Sequence, residues 1–120
     1  MIIKLPYPNK ELAPNRANGL HWGKTKAMKA SDKNMAFIMT KEALRTRDIK
    51  LGATVPLTIT FQQADKRHRD LDGLLSASKH YLDGVALALK IDDKQFEPIT
   101  ITRSYEKGCK ATIIQIQGII

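Results

Sequence analysis

Between residues 67 and 83 the chain reads Arg-His-Arg-Asp-Leu-Asp-Gly-Leu-Leu-Ser-Ala-Ser-Lys-His-Tyr-Leu-Asp. Two carboxylates, Asp70 and Asp72, stand two residues apart. In extended or turn geometry side chains at i and i+2 point the same way, so both can face one point. Held together they repel each other unless a cation or a proton intervenes. A helix N-terminus relieves only about 0.3–1 kcal/mol of that repulsion. A divalent metal relieves far more, and Mg²⁺ favours one or two carboxylates completed by water and phosphate oxygens. The plain structural alternative is that Asp70 or Asp72 is an N-cap. A second acidic point is Asp92-Asp93, followed by Lys94. On its own this is ordinary turn composition.

These residues need elements to hold them. At about 100° per residue, Leu71, Leu75, Ser78, Leu82, Val85 and Leu89 form one stripe of a helix over residues 71–89. Asp72, Ser76, Lys79 and Asp83 follow the same spacing on the neighbouring stripe. One face therefore packs, and the next gathers two carboxylates and an ammonium. Lys79 and Asp83 also form an i, i+4 pair, which is commonly an exposed salt bridge. Such a helix is about 28 Å long, so Asp93 reaches Asp70 only if the chain folds back beside the helix start. Around this segment, residues 2–5 predict a short strand and residues 6–23 a long loop rich in Pro and Gly. Asn15, Arg16, His21 and Trp22 of that loop are candidates to touch a ligand. A helix follows, capped at Ser31 or Asp32 or running through from near Lys24, and ending near Asp48. Residues 55–61 alternate apolar and polar as a half-buried strand, with Pro56 placing its start at an edge or just outside the sheet. Residues 99–103 and 111–117 predict two more strands, joined as a hairpin through a turn at Lys107-Gly108. The order predicts one α+β (mixed α/β) domain over residues 1–120, with a small mixed sheet packed by two main helices.

The formal net charge is +8. Residues 1–50 carry eleven Lys/Arg against four acids, a net of +7; residues 51–120 carry nine against eight, a net of +1. A basic face in the first half suits salt-dependent contact with phosphates. The candidates are Lys24, Lys26 and Lys29, joined by Lys66, Arg67 and Arg69 of the basic link before Asp70. No apolar run is long enough to predict a membrane span, and the N-terminus lacks a signal-peptide pattern. A single cysteine, Cys109, excludes an intrachain disulfide and argues against a Cys-based zinc site. A reducing, cytoplasmic setting is the expectation.

The run from Asp70 to Lys79, followed by Asp83-Gly84 and Asp92-Asp93, resembles the signature of the RusA family of Holliday junction resolvases. That signature reads approximately as Asp-x-Asp-Asn-Leu, a Lys, and an Asp-Asp further on. The opening Leu5-Pro6-Tyr7-Pro8 with Pro14-Asn15 is similar to the family's N-terminal loop. The resemblance implies a homodimeric crossover junction endodeoxyribonuclease that makes paired nicks in four-way DNA, dependent on Mg²⁺ with Mn²⁺ as an alternative. It implies Asp70, Asp72 and Asp93 as metal ligands, Lys79 as the catalytic lysine, and Asp92 and Asp83 as supporting acids. Two departures stand out: Gly73 occupies the place of the Asn, and the Lys lies seven residues after Asp72 where some members have it four after.

Two rival readings differ in what they require. A restriction-type nuclease would use Asp92-Asp93-Lys94, needs a strand near residue 92, and makes Lys94 essential. A basic DNA-binding module without catalysis would use the acids only structurally and be indifferent to EDTA. His68-Arg69-Asp70-Leu71 also mimics a kinase catalytic loop, but the chain is far too short and Leu75 stands where the kinase Asn belongs.

Overall fold

The computed structural model describes residues 1–9, 12, 22–45, 47 and 50–117, with the backbone alone at 22–24. The alternation in the third quarter of the chain carries the core. Val55, Leu57, Ile59 and Phe61 of β2 (Val55–Gln63) point to one face, and all four are buried. Beside them lie Ile3 and Leu5 of β1 (Ile2–Leu5) and Ile114 and Ile116 of β4 (Ala111–Ile116). β3 (Phe96–Tyr105) completes a four-stranded sheet in the order β1-β4-β2-β3.

The sheet is mixed. β4 runs antiparallel to both β1 and β2, and β3 runs parallel to β2. The predicted β3–β4 hairpin is therefore not formed: the two strands flank β2. The link between them permits this course, and the choice lies in which apolar faces meet. Crossing one intervening strand spans about 10 Å, and the link 106–110 is long enough to do so, at up to roughly 3.3–3.6 Å per residue. It passes over the end of β2, where Glu106 N–H donates to the Gln63 carbonyl (2.9 Å) and Gly108 N–H to the Ala64 carbonyl (3.3 Å). The expected turn at Lys107-Gly108 is present, with Gly108 at φ 75°, a conformation that favours glycine. Pro56 lies in the central β2 and not on an edge strand; the β2–β3 register shifts between Val55 and Leu57, which accommodates the missing N–H.

The helices cover the apolar face. α1 (Trp22–Leu44) begins at Trp22 and runs through Ser31 and Asp32 without a cap there, and ends before Asp48. The single helix expected over 71–89 is two: α2 (Leu71–Ala77) and α3 (Lys79–Leu89). Ser78 separates them at φ −98°, ψ 6°, and its hydroxyl donates to the Leu75 carbonyl (3.0 Å). Such local side-chain bonding competes with the regular helical ladder. The stripe still holds, since Ser78, Leu82, Val85 and Leu89 are buried and Leu71 and Leu75 half-buried. Together α2 and α3 bridge the parallel pair β2 and β3, as such a connection requires. α3 packs closely on α1, because a Cβ on Gly84 would run into the Lys33 carbonyl oxygen. Among the described residues no helix is long and apolar enough to cross a membrane.

Candidate functional site

Asp70 precedes α2 in an extended conformation (φ −69°, ψ 117°), and its Oδ1 accepts from the Asp72 N–H at 3.2 Å. It is thus an N-cap, as the plain reading allowed. The cap uses Oδ1 and leaves Oδ2 unengaged by that bond. Asp72 lies in the first turn and is exposed.

α2 packs against β3, and the seam between them has two ends. Leu71 and Asp72 share one end with His68, Arg69, Asp70 and Arg103, around an open groove of about 480 Å³. One helical turn on, Leu75 and Ser76 share the other end with Lys79, Leu82, Asp93 and Ile99, around a cavity of about 300 Å³. Ile99 and Arg103 pair with Leu57 and Phe61 and project from the same face of β3. Asp93 therefore does fold back: the chain leaves α3, makes a short 3-10 turn at Asp93–Gln95, and enters β3 beside α2. Asp70-Asp72 and Asp93-Lys79 lie along one seam on one side of the molecule. Among the described residues, however, no three His, Cys, Asp or Glu side chains gather as a group that could hold a metal ion. The structure brings Asp93 to Lys79 and Ser76, and Asp70 to Asp72, without merging the two pairs into one cluster.

The acidic end is electrostatically crowded. A hydrogen bond with the Asp92 carboxyl raises the Asp93 carboxyl above its usual range, and burial and the charges of Asp83 and Asp92 add to that, against the opposing pull of Lys79. Asp92 goes the other way, held low first by the Lys94 N–H (3.0 Å) and then by Asp93. Asp92 also caps the 3-10 turn in a reciprocal arrangement with Gln95. Residues 93–95 form a turn rather than the strand that a restriction-type Asp92-Asp93-Lys94 site needs. Asp83 is half-buried and approaches His80 Nδ1 at 3.5 Å.

The basic link is built rather than loose. Gln63 Nε2 donates to the Arg67 carbonyl (2.6 Å). Asp65 takes two bonds from the Arg69 guanidinium (3.0 and 3.4 Å) and one from the Arg67 N–H (3.0 Å). The Arg69 side-chain bond, followed by the Arg67 N–H, holds the Asp65 carboxyl below its usual range. Arg69 is thus committed to Asp65, while Arg67 remains largely exposed and Lys66 lies over the Tyr105 ring (5.3 Å). The residue missed in the sequence is Arg103. Its guanidinium donates to the Arg69 carbonyl (2.5 Å) and meets His68 Nε2 (3.0 Å) at the groove beside Asp70. Its only signal was an Arg at an inward position of an alternating strand. Lys26 and Lys29 are exposed on α1; the side chain of Lys24, and Asn15 and Arg16, lie outside the described residues.

No family model matches the chain. Over 119 residues, 98% of this chain and 76% of the relative, it is 30% identical to an "Uncharacterized protein" of Xylella fastidiosa (strain Temecula1 / ATCC 700964). This chain therefore belongs to the same family as that Xylella fastidiosa protein.

Proposed function

We propose that this protein is a metal-dependent endodeoxyribonuclease of RusA type, acting on four-way DNA junctions as a homodimer. The observation that carries the reading is the shared seam. Asp70 and Asp72 with Arg103 line one end of it, and Asp93 with Lys79 the other. The donor set fits a hard cation: Asp70 and Asp72 offer carboxylate oxygens, and Mg²⁺ takes one or two carboxylates with water and phosphate oxygens. Asp93 belongs to the same acidic line, and the phosphate of a bound strand would bridge the interval. A bound Mg²⁺ or Mn²⁺ would supply a nucleophilic water near neutral pH and neutralise the phosphate.

The chain's own residues do the rest. Asp70 and Asp72 would hold the cation against the helix start. Lys79 brings a positive charge towards the scissile phosphate, where fixed charge acts on the transition state. Arg103, Arg67 and Lys66 would grip flanking phosphates, which sets position rather than sequence. A two-fold dimer would present two such seams to a two-fold junction.

The test is a synthetic four-way junction with and without Mg²⁺. Asn caps a helix as well as Asp does, so Asp70→Asn keeps the fold while weakening metal binding. Asp70→Asn and Asp72→Asn should abolish Mg²⁺-dependent nicking and leave junction binding in place. Normal nicking by both variants would refute the assignment. Binding that ignores EDTA, with no cleavage by the wild type, would favour the non-catalytic DNA-binding module.

A further inference from the structure

We propose that a second cavity beside Asp70, walled by Tyr7, Pro8 and Leu74, takes one unstacked nucleobase of the DNA strand. The proposal rests on the nuclease reading, which supplies the strand. Asp70 and Arg69 line both this cavity and the open groove that holds Asp72 and Arg103. A nucleotide whose phosphate lay at the groove would have its base on the other side of Asp70.

The cavity holds about 500 Å³, within the roughly 300–1,000 Å³ of small-molecule sites. It is pre-formed. The Pro6 carbonyl accepts from the Tyr81 hydroxyl (3.1 Å) and the Thr112 hydroxyl (2.9 Å), which fixes the backbone that carries Tyr7 and Pro8. On the other side, Gln62 Nε2 holds the Cys109 carbonyl (3.2 Å), next to Lys110 at the rim.

Charge and shape choose the ligand. Arg69 is bonded to Asp65, the Lys110 ammonium lies over the Tyr7 ring at 5.7 Å, and Asp70 shares the lining. Two cations thus accompany two anions. A phosphate finds little net attraction there, whereas a neutral planar ring with a polar edge finds an aromatic wall, apolar sides and donors and acceptors at the rim. The Tyr7 hydroxyl is buried without a hydrogen-bond partner among the described residues, so the ring and not its polar end meets the cavity. Gly73 opens the space. A Cβ there would meet only Asp70 Oδ2, at an ordinary 3.8 Å, so the fold admits a side chain that the cavity would then contain. Enzymes acting on DNA extrude bases into such pockets at the cost of unstacking, and stacking on an aromatic ring offsets part of it.

The test uses the full chain in EDTA and a four-way junction carrying 5-iodouracil at single positions around the branch point. Irradiation should crosslink one position to Tyr7, identified by peptide mass spectrometry. Gly73→Met should remove that crosslink and weaken junction binding roughly 5- to 150-fold, the range seen when base stacking is lost. Tyr7→Leu should do the same, and circular dichroism should show native folding for at least one of the two. Crosslinks that map elsewhere with junction binding intact overturn the proposal. So does an abasic nucleotide at the same position that binds as tightly as the intact one, which would make the cavity a phosphate site. Failure of the wild type to bind any junction DNA overturns the nuclease reading and this proposal with it.

Discussion

At the scale of single residues, the charge of Lys79, which opposes the rise of the Asp93 carboxyl, gives the acidic end its chemistry. Both line the cavity that also contains Ser76. Ser76 lies four residues after Asp72, one helical turn, and Lys79 lies seven after, two turns; both placements address the same seam. Lys79→Ala should lower nicking by roughly 10²–10³-fold if its charge acts on the transition state. Ser76→Lys in that background should restore part of the rate, read as single-turnover nicking of a junction. An unchanged rate in Lys79→Ala would remove Lys79 from the reaction. Asp70 and Asp92 each cap a helical start, and Asp70 has a second role because it also lines the groove at the seam. The cap could be read from the residue type, whereas the direction of the remaining oxygen could not.

At the scale of elements, the break at Ser78 and the close contact at Gly84 decide how the site is held. Gly84 lets α3 approach the backbone of α1; besides the Lys33 carbonyl, an added Cβ would meet Ala36 Cβ at 2.9 Å and the Phe37 nitrogen at 3.0 Å. Backbone atoms cannot yield as a side-chain tip can, so the helices would have to separate. Gly84→Ala should therefore destabilise the fold by about 1–3 kcal/mol, in spite of its better helix propensity, measured as a lower urea midpoint. An unchanged midpoint would contradict the packing. The parallel placement of β3 next to β2 is equally consequential. An antiparallel hairpin of β3 with β4 would carry β3, and the Asp93 turn that precedes it, away from the edge that α2 covers.

At the scale of the whole molecule, the charge of +8 and the packing of α1 on α3 set the response to salt and pH. His80 faces Asp83 from its own helix and Lys29 and Asp32 from α1; burial is the largest influence and pushes its pKa below 6.5. The unfolded chain then takes the proton first as pH falls, so this group's contribution is lost below about 6.5. Asp32 has the opposite sign. Burial raises its carboxyl above 3.8, so the folded chain holds that proton more tightly and its contribution fades as pH rises through the raised value. Thermal melts at about pH 7.5 and about pH 5.5 should show a lower Tm at the acidic point, and His80→Gln should narrow the difference. An equal gap in the variant would remove His80 as the cause.

What the sequence determined by itself was local: the alternation in β2, the helical stripe from Leu71 to Leu89, the turn at Gly108, the acidic and basic clusters and the mixed α+β class. These follow from periodicity and from residue-specific backbone preferences, which act over a few residues. Three matters were decided only in the tertiary structure. β3 joined β2 instead of β4, because a link of 106–110 suits either course and the choice lies in which apolar faces meet. Asp93 came to Lys79 and Ser76 because β3 runs beside α2, a contact between segments far apart in the chain. The cavity at Tyr7 formed because the Pro6 carbonyl is held by hydroxyls from α3 and β4 at once. Contacts between remote segments depend on the packing of the whole chain, and spacing along the chain does not encode them.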